Sequence, residues 1–287
     1  MTEIRAVTAV LQPQPVVDGA GVHIRRGFSH GQERSFDPFL LFDNFGGDTP
    51  DQFMAGFPWH PHRGIETITY LLEGDVEHGD SMGNSGVIRP GDVQWMTAGS
   101  GIIHQEMPQA SPRGRLQGFQ LWSNLPASHK MMAPRYQGIE AADIPELQDG
   151  AARVKLICGR IGETSGPVQE IVSEPEYLDV SLTPDGLWAH PVKPGHTVFA
   201  FLFEGAARFA PDSSQVAAQG GAVVLFGGGE QVQIQAGAEG ARFLLVSGQP
   251  LREPVAWGGP IVMNTQEELR LAFSELRANT FIKHKGQ

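Results

Sequence analysis

A single cysteine, Cys158, occurs in the 287 residues, so no disulfide can staple the chain internally and a disulfide-rich secreted scaffold is excluded. Basic residues are also scarce. Lys and Arg number 21 against 32 Asp and Glu, a net charge of −11, which argues against unassisted attraction to phosphate backbones or anionic lipid. No nucleic-acid or membrane partner is therefore expected. No apolar run approaches the length of a membrane span, and Met1 to Gln14 lacks the long apolar stretch of a secretory leader, so a reducing cytoplasm is the expected location. Helical periodicity is nearly missing from residue 1 to about 260. What the chain has instead is 36 glycines and 21 prolines, a composition that favours many short strands and turns and excludes coiled coils.

Glu66 to Leu72, Arg115 to Trp122, Arg153 to Cys158 and Thr197 to Phe203 are short, apolar or alternating, and rich in β-branched and aromatic residues, the pattern of strands. Between them, Glu73-Gly74-Asp75, Arg89-Pro90-Gly91-Asp92, Thr183-Pro184-Asp185-Gly186 and Lys193-Pro194-Gly195 carry the residues that tight turns require. The pattern predicts an all-β chain of antiparallel sandwiches or barrels. One exception closes it: Thr265-Gln266-Glu267-Glu268 is a capping box, and Leu269, Leu271, Ala272, Phe273 and Leu276 give the following stretch an apolar side, predicting a C-terminal helix.

Sliding the sequence on itself by 131 residues lays Thr67 to Leu72 over Val198 to Phe203, Glu73-Gly74 over Glu204-Gly205, and Gly91 to Trp95 over Ala222 to Phe226. Two similar β lobes follow. Polar, proline-bearing text from Ala133 to Asp149 predicts the boundary, giving lobes of residues 1–133 and 134–287.

Chemistry concentrates in the first lobe. Residues i and i+2 of an extended strand share a face, so His60 with His62, and His104 with Glu106, can each present two donors to one ion. Three imidazoles and a carboxylate suit Fe(II), Ni, Cu, Mn or Zn, and a six-coordinate ion keeps open positions. Glu77 and His78 compete as ligands, but they follow a turn, where charged side chains face water. At the 131-residue shift His60 falls on Pro191, His62 on Lys193, His104 on Gln235 and Glu106 on Gly237, so the second lobe should hold no ion. His190 and His196, separated by Pro194-Gly195, do not share a strand face and read as structural or exposed. Cys158, inside an apolar strand, reads as a packing residue.

Phe36-Asp37-Pro38-Phe39-Leu40-Leu41-Phe42-Asp43 and Phe57-Pro58-Trp59-His60-Pro61-His62-Arg63-Gly64-Ile65-Glu66-Thr67 resemble the pirin family of the cupin superfamily. Gly91 to Gly99, His104 to Pro108 and Gly259 to Thr265 resemble its remaining signatures, so the likeness spans nearly the whole chain. It implies a bicupin, two stacked β-barrel (jelly-roll-like) lobes with a C-terminal helix. It also implies a metal, usually Fe, held by His60, His62, His104 and Glu106. Cupins in general use a glutamate at the position of Glu66, which becomes a candidate for the layer behind the ligands, with Arg63 beside it.

The resemblance further implies a quercetin 2,3-dioxygenase activity, in which the ion, O2 and a small aromatic flavonol meet and Glu106 accepts the 3-hydroxyl proton. Phe45, Phe57, Trp59, Trp95 and Met96 are the candidate apolar walls. Alternation forbids Trp95 and Met96 from both lining the cavity. The family also includes regulators that bind partner proteins, so a redox-sensing binding module is the second implied outcome.

Overall fold

The computed structural model describes residues 2–210 and 216–284. Among them strands dominate, and two compact units form, neither a single stretch of chain: residues 14–141 join 251–287, and residues 1–13 join 142–250. A single cut after residue 133 is thereby corrected at both ends. The reason is strand pairing. Val7–Leu11 lies antiparallel to Ala222–Phe226 in the second unit, while Ile261 and Val262 dock beside Arg63 in the first.

In the first unit a seven-stranded antiparallel sheet runs in the order Arg135–Ile139, Val93–Thr97, Ile65–Glu73, Leu116–Asn124, Phe39–Gly47, Val22–Phe28, Gln14–Asp18. A four-stranded sheet holds Phe57–His62, Ile102–Gln109, Asp75–Asp80 and Ser85–Ile88. Alternation sorts the side chains of Ile65–Glu73. Thr67, Thr69 and Leu71 take one face, Glu66, Ile68 and Tyr70 the other. Directly opposed residues on antiparallel strands share a face, so Trp95, opposite Ile68, lies with the second set, and Met96, opposite Thr67, with the first. Phe28, Phe42, Phe119 and Tyr70 form a buried aromatic layer on the Ile68 side, with Phe28 stacked on Phe36 at 3.8 Å between ring centroids.

The second unit repeats the order: Val7–Leu11, Ala222–Phe226, Thr197–Phe209, Gln231–Gly248, Glu176–Leu182, Ala152–Cys158, Glu146–Asp149. The shift of 131 thus does pair equivalent strands. Its interior is a continuous apolar cluster that includes Val154, Leu156, Leu178, Val180, Val198, Ala200, Val224, Phe243 and Leu245. Each apolar side chain moved from water into such a core stabilises by about 1.5–3 kcal/mol.

The C-terminal helix spans Gln266–Arg277. Thr265 Oγ1 accepts from the Glu268 amide, and the Glu268 carboxylate accepts from the Thr265 amide, so the capping box is formed. Leu269 and Ala272 are buried, but Leu271 is exposed: it lies off the stripe that its neighbours turn inward.

Candidate metal centre

His60 and His62 come from the strand Phe57–His62, and His104 from Ile102–Gln109, with His104 directly opposite His60 in the antiparallel register. Alternation brings His62 to the same side, and the ligand nitrogens of the three rings all lie within 4.8 Å of one another. Burial holds His62 and His104 well below the ordinary imidazole pKa, a charge on neighbouring histidines opposes protonation further, and both rings are therefore neutral.

The hydrogen bonds then assign the lone pairs. His60 Nδ1 lies 2.9 Å from the Pro58 carbonyl and His62 Nδ1 lies 3.2 Å from the Pro260 carbonyl. A carbonyl only accepts, so both Nδ1 atoms carry a proton, and the neutral His62 ring presents a bare Nε2 lone pair toward His60 Nε2. Those two Nε2 atoms face each other at 3.1 Å. His104 adds a ring with both nitrogens buried and no hydrogen-bond partner among the described residues. Converging ring nitrogens, those of His104 buried without a partner among the described residues, are costly by themselves and are satisfied together by a cation. The residues fit a transition metal.

Glu106 stands apart from this group. It lies two residues beyond His104, buried, and its Oε1 accepts from the Thr69 hydroxyl at 3.1 Å, whose oxygen in turn accepts from Gln120 Nε2 at 3.1 Å. Burial raises its pKa, and His60 partly offsets the rise. The structure thus brings three of the four expected ligands together and seats the fourth beside them on a hydroxyl. His78 is directly opposite Glu106 but stacks on Tyr136 and lies outside the imidazole group; Glu77 is exposed.

His60 and His62 line a cavity of about 570 Å³. Phe45, Phe57, Trp122 and Trp257 form its apolar walls, with Trp122 edge-on to His62 at 5.1 Å between ring centroids. The remaining expectations need correction. Trp59 does not line the cavity and is 54% exposed, packed near Gly79. Met96 packs with Ala98 and Ile102 away from the lining. Glu66 lies on the opposite face from Thr67 and Thr69, where its carboxylate accepts from Thr97 Oγ1 at 2.7 Å; it cannot support the ligands from there. Arg63 is buried and turned to Ser100 and the C-terminal segment.

Sequence reading missed a polar row. Arg26, Asp43, Gln120, Thr69 and Gln94 are cross-strand neighbours, one per strand, across five strands. The Arg26 guanidinium grips Asp43 with two bonds of 2.9 and 2.8 Å and reaches Asp18 at 2.9 Å. Arg26, Asp43, Gln120 and Asp18 all line the cavity. The one available signal was an acid, Asp43, inside the apolar run Phe39 to Phe45.

Fold and site together define a two-lobed cupin whose imidazole cluster sits in one lobe. A family model described as pirin matches residues 21–123, and one described as the pirin C-terminal cupin domain matches residues 177–282. The chain is 43% identical over 280 residues to a pirin-like protein of Caulobacter vibrioides, covering 97% of this chain and 99% of that protein. It is 38% identical to the pirin of Homo sapiens, covering 96% and 94%. The crystal structure of quercetin 2,3-dioxygenase from Acinetobacter baumannii superposes with a TM-score of 0.87 at 32% identity, covering 97% of this chain and 98% of that one. The chain belongs to the pirin family.

Proposed function

We propose that this chain is a metal-dependent dioxygenase of the quercetin 2,3-dioxygenase type, with His60, His62, His104 and Glu106 holding the ion, Fe(II) foremost. Zn, Ni, Mn and Cu fit the same donors. Fe(II) held there would supply a Lewis-acidic and redox-active centre. The observation that carries the reading is the pair of imidazole Nε2 atoms facing each other at 3.1 Å beside His104, whose ring nitrogens have no hydrogen-bond partner among the described residues.

The chain's own groups suit a flat phenolic ligand. Trp122, Trp257, Phe45 and Phe57 offer apolar surface to ring faces, while Arg26, Asp18 and Gln120 offer donors and acceptors to hydroxyl groups at the rim. The Glu106 carboxylate, made more basic by its burial and held in place by the Thr69 hydroxyl, would accept the proton of an enolic hydroxyl. The likeness to a quercetin 2,3-dioxygenase structure supports a flavonol and O2 as the substrates.

Anaerobically Fe-loaded protein should consume O2 when mixed with quercetin, and His62→Ala should lose both the metal and the consumption. Undiminished turnover in metal-free His62→Ala would overturn the proposal.

A further inference from the structure

We infer that the C-terminal segment, through the carbonyl of Pro260, is the element that orients His62 for the ion, so that ion affinity and docking of this segment are coupled. The inference rests on the reading of the imidazole cluster as a metal centre. His60 takes its orienting acceptor from Pro58, two residues away in its own strand. His62 takes its acceptor from Pro260, 198 residues downstream. A backbone carbonyl on the outer ring nitrogen fixes the tautomer and the ring plane, and partners of this kind set ligand basicity in metal sites.

The position of that carbonyl is itself built with unusual care. Val262 N donates to the Arg63 carbonyl at 3.0 Å, immediately after His62. The buried Lys130 ammonium bridges the Gly64 and Val262 carbonyls at 2.8 and 3.0 Å and donates to Asn124 Oδ1 at 2.7 Å. Gly64 has φ +78°, and a Cβ there would run into the Val262 carbonyl oxygen, so glycine is needed for the approach. Further along the same segment, the Arg63 guanidinium donates to the Phe281 carbonyl at 2.8 Å, pairs with Glu275 at 2.8 Å and lies 4.1 Å from the centroid of the Phe281 ring. Two buried basic side chains therefore clamp the segment at the residues adjoining a ligand. Coupling is reciprocal: if docking favours the ion, the ion favours docking.

The test uses the full chain and nickel(II) as the probe. In the wild type, the Val262 amide should exchange with solvent at least tenfold more slowly once nickel is bound. Phe281→Ala and Lys130→Met, which loosen the clamp without touching a ligand, should weaken nickel binding by roughly 10–100-fold. Val93→Ala, a core truncation in the same unit away from the segment, should bind nickel as the wild type does. Wild-type nickel affinity in both clamp variants, or Val262 exchange indifferent to bound nickel, overturns the coupling alone. A wild type that takes up no nickel overturns the metal-centre reading on which it stands.

Discussion

One rung of the two large sheets separates the lobes more sharply than any motif. In the first lobe it reads Arg26, Asp43, Gln120, Thr69, Gln94; in the second, strand for strand, it reads Leu156, Leu178, Leu245, Ala200, Val224. The second set is fully buried and belongs to the apolar cluster that fills its barrel. The strand order is the same, and the interior is what differs. A rung of aliphatic side chains closes a core, whereas Arg26, Asp43 and Gln120 of the polar rung line a cavity that His60 and His62 also line. The pair of buried His190 and half-buried Glu176, 2.9 Å apart, shows that a histidine alone does not make the second lobe a site. Among the described residues no third ligand joins it.

The comparison can be broken from the second lobe. Leu178→Asp places at the second rung the residue type that the first rung carries at Asp43, but with no arginine opposite. An unpaired carboxylate in that core should cost about 3–5 kcal/mol, read as a large loss of denaturant midpoint. A mild effect would mean that the rung is wetter than its burial indicates. It can be sharpened from the first lobe. Arg26→Leu with Asp43→Leu copies the aliphatic rung, and replacing a buried ion pair by leucines is nearly neutral for folding, within about 1–2 kcal/mol. The same double variant should raise KM for quercetin at least tenfold while leaving bound metal unchanged. An unaltered KM would remove the polar row from substrate recognition.

The smallest effect is one of pH. Burial pushes the Lys130 ammonium down to about 7 from its ordinary 10.5. Between those values the unfolded chain binds a proton that the folded chain releases, so this group makes stability rise with pH across that window. The gap in melting temperature between wild type and Lys130→Met should therefore shift in favour of the wild type from pH 7 to pH 9. A pH-independent gap would show that the ammonium keeps its proton on its three oxygen partners.

Much of this architecture is legible in the chain because β-structure writes local signals. Alternation, turn residues and the 131-residue repeat place the strands, and the i, i+2 spacing puts His60 with His62, and His104 with Glu106, on one side of their own strands. Register across strands is not local. It decides that Thr69 and Met96, but not Glu66 or Trp95, share the inner face, and even there Met96 is taken up by packing on Ala98 and Ile102, while Phe45 and Phe57 line the cavity and Trp59 is exposed. The lobe boundary fails for a related reason, since Val7–Leu11 fills in the second sheet the place that Arg135–Ile139 fills in the first. Pro260 is illegible because nothing in a sequence announces that a carbonyl will reach a ring 198 residues earlier.

Metal stoichiometry measured on three forms of the purified, metal-loaded chain tests the central claim most directly. The account predicts one ion per chain in the wild type, none in His104→Ala, and one again in His190→Ala. An ion retained by His104→Ala and lost from His190→Ala would move the site to the other lobe and contradict it.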